Sequence, residues 1–151
     1  MIDSHCHLDH EPMYSDLKNV IQRSKDIGVS KILSICTTKS SFSKITKIVD
    51  FDPIIYGTFG IHPHESSKDV VTKNEIIKNV KEHSKIIAIG ESGLDFYYNH
   101  SDKITQIESF KTHIEASIEL SIPIIVHSRS AENKTYEILK SYYEYKPKIL
   151  M

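Results

Sequence analysis

Two His-x-His pairs, one glutamate and one His-Ser-Arg run carry the chemistry legible in this chain. His5 and His7 lie in the opening stretch Met1-Ile2-Asp3-Ser4-His5-Cys6-His7-Leu8-Asp9. If residues 2–6 form a strand, side chains alternate faces. Both imidazoles then project to one side and Cys6 to the other. Two imidazoles about 7 Å apart along a strand can converge on one ion. Spacing alone does not decide this, because the chain holds nine His in 151 residues. The second pair is His62 and His64, in Gly60-Ile61-His62-Pro63-His64-Glu65. Glu91 stands in Gly90-Glu91-Ser92-Gly93-Leu94-Asp95, and His127-Ser128-Arg129 follows the apolar run Ile124-Ile125-Val126.

Imidazole with carboxylate suits zinc, manganese or iron, and magnesium less well. A carboxylate such as Glu91 can bridge two ions, and two ions about 3.5–4 Å apart can clamp the attacking and leaving oxygens of a phosphodiester. Metal-activated water then makes a separate Ser or Cys nucleophile unnecessary. Arg129 is placed to pair a phosphate oxygen through its fork. Plainer readings stand beside each of these. Glu91 could be a solvated loop carboxylate and His127 a hydrogen-bonded core histidine. His62 and His64 could belong to a rigid proline turn and Arg129 to a helix entry, and Asp95 suits a turn cap as well as a substrate contact. The plain readings leave one coincidence unexplained: acid and imidazole recur at the ends of apolar runs and not at their beginnings.

The elements that must position these groups alternate regularly. After the opening strand, Met13, Leu17, Val20, Ile21 and Ile27 share a helical face, and Gly28 stops it. Strands are expected at 31–36, 54–59, 86–89 and 123–126. Helical stripes run through Phe42, Ile45, Ile48 and Val49; through Val71, Ile76, Ile77 and Val80; through Ile104, Ile107, Phe110, Ile114 and Ile118; and through Tyr136, Leu139 and Tyr143. Pro147 breaks the last, and residues 148–151 begin another apolar run. This is a βα unit five times over, with a sixth strand begun. Such alternation implies parallel βαβ units. An open nucleotide-binding sheet would show a Gly-rich first turn. Here that turn is His-Leu-Asp-His-Glu-Pro, which favours an α/β fold of the (β/α) TIM-barrel type, where working residues sit at the C-terminal ends of strands. His83, His100 and His113 fall on helices or loops and read as surface or packing groups.

Composition bounds the function further. The chain is long enough for one domain, residues 1–151, with a sizeable core. No run approaches the ~18 apolar residues of a membrane span, and no signal-peptide pattern opens the sequence. Cys6 and Cys36 read as reduced thiols in a cytoplasmic protein. A net charge of −1 excludes broad duplex coating by Lys and Arg, though not a nucleic acid gripped locally by metal ions.

The stretches 3–9, 60–64, 89–96 and 123–129, in that order and at those separations, resemble the TatD family of metal-dependent deoxyribonucleases, which belongs to the amidohydrolase-like TIM barrels. The resemblance covers the whole chain. It implies metal ligation by His5, His7, Glu91 and His127, with Glu91 shared between two divalent ions of magnesium, manganese or zinc. It also implies contact of His62, His64 and Arg129 with the backbone of a DNA substrate, at ends or single strands.

Family members continue for three more strands, the next ending in a metal-binding His and a later one in a metal-binding Asp. This chain stops at the start of the sixth strand, so the expected fold is an incomplete barrel. Two functions follow: a metal-dependent phosphodiesterase acting on DNA, or a non-catalytic, truncated metal-binding half-barrel. A related barrel hydrolase of amide or other ester bonds fits the Gly-Glu-Ser-Gly-Leu-Asp run less well. The open barrel edge further suggests self-association or a second chain.

Overall fold

Short Ile-rich runs bounded by polar turns set the register of the molecule, whose computed structural model describes residues 1–98 and 100–151. Six strands form, β1 (Ile2–Cys6), β2 (Lys31–Ser34), β3 (Ile55–Phe59), β4 (Ile86–Asp95), β5 (Ile124–Arg129) and β6 (Ile149–Leu150). Between them lie α1 (Leu17–Asp26), α2 (Lys39–Phe51), α3 (Lys73–Lys81), α4 (Lys103–Leu120) and α5 (Glu132–Ser141), with 3₁₀ turns at Pro63–Glu65 and Tyr143–Tyr145. All five pairings are parallel and the sheet order is β1-β2-β3-β4-β5-β6. A doubly wound sheet reverses its order at a switch point. The strictly sequential order here is that of a barrel wall, and the six strands curl into a half-barrel with helices between them.

The core lies between the sheet and the helices. Phe59, Phe110, Ile45, Ile48, Ile55, Ile76 and Ile114 are all but fully buried there. A second, smaller cluster of Ile35, Ala88 and Ile125 sits apart from it. Helix starts are pinned by side chains. The Thr38 hydroxyl accepts the Ser41 N–H, and Thr72 and Glu75 close a reciprocal box. Asp102 accepts the Thr105 N–H at 2.9 Å. Each such cap stabilises by about 1 kcal/mol.

Three expectations from the sequence need correction. β4 was expected at 86–89 but runs to Asp95, with every residue except Ile87 buried. Its polar half lacks the apolar signature of a strand, yet it pairs with β5 in register, Ser92 with Val126 and Asp95 with Arg129, after an irregularity between Ile89 and Ser92. Glu91 is therefore a strand residue. Ile104, placed on the buried stripe of α4, is 70% exposed. Gln106 takes the inward position, bonded to the Asp95 backbone. Two residues are about 200° around a helix, so Ile104 faces out. On α5, Thr135 and Ile138 are buried, while Tyr136 and Tyr143 stay exposed. The Tyr136-Leu139-Tyr143 stripe exists, but it lines an open groove with Ile149 beside β6.

Candidate metal centre

The ends of β1, β3, β4 and β5 meet at one pole. β4 carries the centre of the site. Two glycines let it approach its neighbours there. A Cβ on Gly60 would lie 2.6 Å from the carbonyl carbon and 2.7 Å from the nitrogen of Gly90. Gly90 itself has φ +126, and a Cβ on it would meet the Ile125 carbonyl oxygen at 2.6 Å. Neither neighbour is a flexible side chain, so only glycine fits at either position. The Thr58 hydroxyl donates to the Gly90 carbonyl and accepts the Cys36 N–H at 2.9 Å. The Glu91 N–H donates to the Cys36 carbonyl, also at 2.9 Å. These bonds hold the backbone from which the Glu91 carboxylate projects.

Imidazoles surround that carboxylate. Oε2 lies 3.5 Å from His5 Nε2 and 3.9 Å from His7 Nε2. Oε1 lies 3.0 Å from His127 Nδ1. His5, His7 and Glu91 form one group close enough to share an ion, and His62, Glu91 and His127 form another. Cys6 turns away, with its thiol directed at the Leu33 carbonyl at 3.6 Å. Burial pushes that thiol up to about 12 and the Cys36 thiol to about 11.

Asp95 is the site residue that sequence reasoning missed. It was read only as a turn cap or a substrate contact. It does cap the turn, because its Oδ1 accepts the N–H groups of Tyr97 and Tyr98, both at 3.0 Å. Its Oδ2 also meets His64 Nε2 at 2.7 Å and His127 Nε2 at 3.2 Å. Burial pushes the carboxyl up, but the Tyr98 N–H and the two imidazoles outweigh it, and the pKa falls to about 2. Residues 91, 93 and 95 share a face only once this stretch is known to be a strand, which its pairing with β5 shows and its composition does not.

The protonation states of His7 and Glu91 suit ligation, whereas His127 is biased toward its protonated form. Burial lowers His62 to about 4 and lowers His7 as well. Burial opposes ionisation of Glu91, but the His127 hydrogen bond and nearby imidazoles outweigh it and keep its pKa below the ordinary value. His127 is raised, chiefly by its bond to Glu91. His62 Nδ1 accepts the His64 N–H at 3.2 Å. In the neutral ring the proton then sits on Nε2, which makes that edge a donor.

Three further histidines were set aside as surface or packing groups. His113 is fully buried and packs structurally: its Nε2 accepts the Ile61 N–H at 3.1 Å and its Nδ1 donates to the Ser109 carbonyl at 2.7 Å. It thereby anchors the turn that carries His62 and His64. His83 is half-buried, edge-on to Phe42. His100 is exposed, but its ring lies 4.7 Å from that of His64, at the rim of the cluster. Arg129 stands outside the ligand group, over the rings of Tyr97 and Tyr98.

The residues fit a divalent metal. Glu91 is only 7% exposed, and among the described residues neither it nor Asp95 is paired with Lys or Arg. Among the described residues, buried His7 Nδ1 and Asp9 Oδ1 have no hydrogen-bond partner. A carboxylate ringed by imidazoles is a donor set for a cation.

Comparison with known proteins agrees with that chemistry. Residues 2–151 match the family model described as TatD related DNase. An uncharacterized metal-dependent hydrolase of Buchnera aphidicola subsp. Baizongia pistaciae is 37% identical over 145 residues, which cover 93% of this chain and 54% of that protein. A protein of Erwinia billingiae named 3'-5' ssDNA/RNA exonuclease TatD is 29% identical, over 92% of this chain and 54% of its own. The crystal structure of a TatD homologue from Escherichia coli K12 superposes with a TM-score of 0.83 at 25% identity, covering 94% of this chain and 56% of that one. The chain thus spans about half the length of the curated relatives it matches.

Proposed function

The chain belongs to the TatD-related DNase family of metal-dependent hydrolases, and from that premise we propose that it serves hydrolysis of DNA phosphodiester bonds at ends or in single strands. The observation that carries the reading is the division of Glu91. Its Oε2 faces His5 and His7, and its Oε1 faces His127. A carboxylate with one oxygen on each side can be shared by two ions. The reading gives His5, His7 and Glu91 to one ion and Glu91 and His127 to the other, with magnesium, manganese or zinc as the candidates.

A divalent ion held there supplies Lewis acidity and a water acidic enough to attack near neutral pH. The chain's own residues do the rest. Asp95 on His127 Nε2 fixes the ring and leaves Nδ1 toward the centre. The His62 Nε2–H donates to a phosphate oxygen, and His64, held by Asp95, lines the same side. Arg129 pairs a second phosphate oxygen through its fork. The preference for ends and single strands rests on the Erwinia relative's name. Both thiols are free, and a reducing cytoplasm completes the reading. An inert remnant is not favoured, because His5, His7 and His127 converge on the Glu91 carboxylate.

The test is a chelator-stripped preparation given Mg²⁺, Mn²⁺ or Zn²⁺ in turn, with end-labelled single-stranded DNA. The expected result is metal-dependent shortening that chelator abolishes, with Arg129→Ala raising KM more than it weakens metal binding. Cleavage that persists in chelator, or metal binding that survives the loss of Glu91, would overturn the assignment.

A further inference from the structure

Beside the metal centre, on the residues that follow β4, stands a group of exposed aromatic side chains that ligation does not use. Tyr97 is 61% exposed and Tyr98 39% exposed. Their backbone N–H groups are fixed by Asp95, so the rings are tied to the same carboxylate that holds His64 and His127. The Arg129 guanidinium lies 4.7 Å from the Tyr97 ring centre and 4.8 Å from that of Tyr98. Among the described residues it pairs with no carboxylate.

The two rings differ in what surrounds them. Tyr98 is hemmed in. His100 stacks on it at 5.5 Å and 23°, and His64 meets it edge-on at 5.4 Å. Among the described residues Tyr97 meets only the edge of Tyr98, at 4.7 Å, and the guanidinium. An exposed aromatic face costs hydrophobic free energy unless something covers it. Here one is propped by a rigid neighbour and a cation that has its hydrogen-bonding edge to spare.

We propose that Tyr97, supported by Tyr98 and Arg129, is a stacking shelf for the unpaired base of the nucleotide next to the phosphate bound by His62 and Arg129. The inference rests on the phosphodiesterase reading and deepens it, since it assigns the part of the substrate that the metal centre does not touch. Aromatic stacking is sequence-tolerant because every base has a π-face. A base inside a duplex has both faces occupied, so the shelf selects a splayed or single-stranded nucleotide. Arg129 serves two ends at once: its guanidinium lies against both rings, and its N–H groups remain able to meet a phosphate oxygen.

The experiment compares binding of two labelled eight-residue probes by fluorescence anisotropy, oligo-dT and an abasic oligomer of the same backbone. Stacking of one base predicts that the protein binds oligo-dT about tenfold more tightly than the abasic probe. Tyr97→Ala should bring oligo-dT down to the abasic affinity, and Tyr97→Phe should keep the preference. Equal affinity of the unaltered protein for both probes, or a preference that survives Tyr97→Ala, overturns the shelf. Metal-dependent hydrolysis of the abasic probe is scored separately. Hydrolysis without base preference rejects the shelf and leaves the phosphodiesterase reading standing; base preference without hydrolysis does the reverse.

Discussion

Asp95 Oδ2 lies 3.2 Å from His127 Nε2, while the other nitrogen of the same ring faces Glu91. A ring held between two carboxylates has its orientation fixed before any ion arrives. Carboxylates behind ligating histidines raise ligand basicity, and their loss typically costs about 10- to 100-fold in metal affinity. Asp95→Asn keeps an oxygen for the Tyr97 and Tyr98 N–H groups but removes the charge. It should weaken Mn²⁺ or Zn²⁺ binding by roughly that factor with little change in melting temperature. Titration calorimetry on the two proteins decides it, and an unchanged dissociation constant would sink the positioning role.

Glu91→Ala should be the most damaging single change to the centre. It removes the carboxylate that both ligand groups share, whereas His5→Ala removes one donor from one group. Metal stoichiometry by elemental analysis should fall further in the first variant than in the second. Equal losses would mean that Glu91 is not shared.

Stability should decline below neutral pH through His113. Burial lowers its pKa from 6.5 to about 4. As pH falls through 6.5 the unfolded chain takes up a proton that the folded chain refuses until about pH 4. This group's contribution is therefore full above pH 6.5 and is lost between 6.5 and about 4, by at most about 1.4 kcal/mol per pH unit. His62 shifts in the same direction. Urea midpoints measured in chelator at pH 7.5 and 5 should differ, and His113→Gln should shrink the difference. A slope untouched by His113→Gln would assign the effect elsewhere.

Gly60→Ala should lower stability and metal affinity together. The added Cβ would press on the Gly90 backbone, which cannot swing aside as a side chain can, and Gly90 precedes Glu91. A loss of about 2 kcal/mol or more is in line with overpacking between backbones. Chemical denaturation beside metal titration is the check; a variant with normal values of both would show that the two strand ends separate freely.

The sequence by itself determined the alternation of strand and helix and the four stretches that bear acid and imidazole. Both are local: apolar periodicity and turn residues are read over a few neighbours. It also determined that His5 and His7 share a side while Cys6 does not, because strand alternation is a backbone property. Only the tertiary structure decided that β4 continues through Glu91 to Asp95, since that half is a strand by virtue of its pairing with β5 and not of its composition. The same holds for Asp95, whose hold on the imidazoles depends on His64 and His127, 31 and 32 residues away along the chain. It holds for His113 as well, which lay on a helix with nothing to mark it until Ile61 was seen to donate to its ring. A residue's type is fixed by the chain, but its partners come from segments that only folding brings within hydrogen-bond reach. Partners decide whether a buried polar group costs free energy or organises a site.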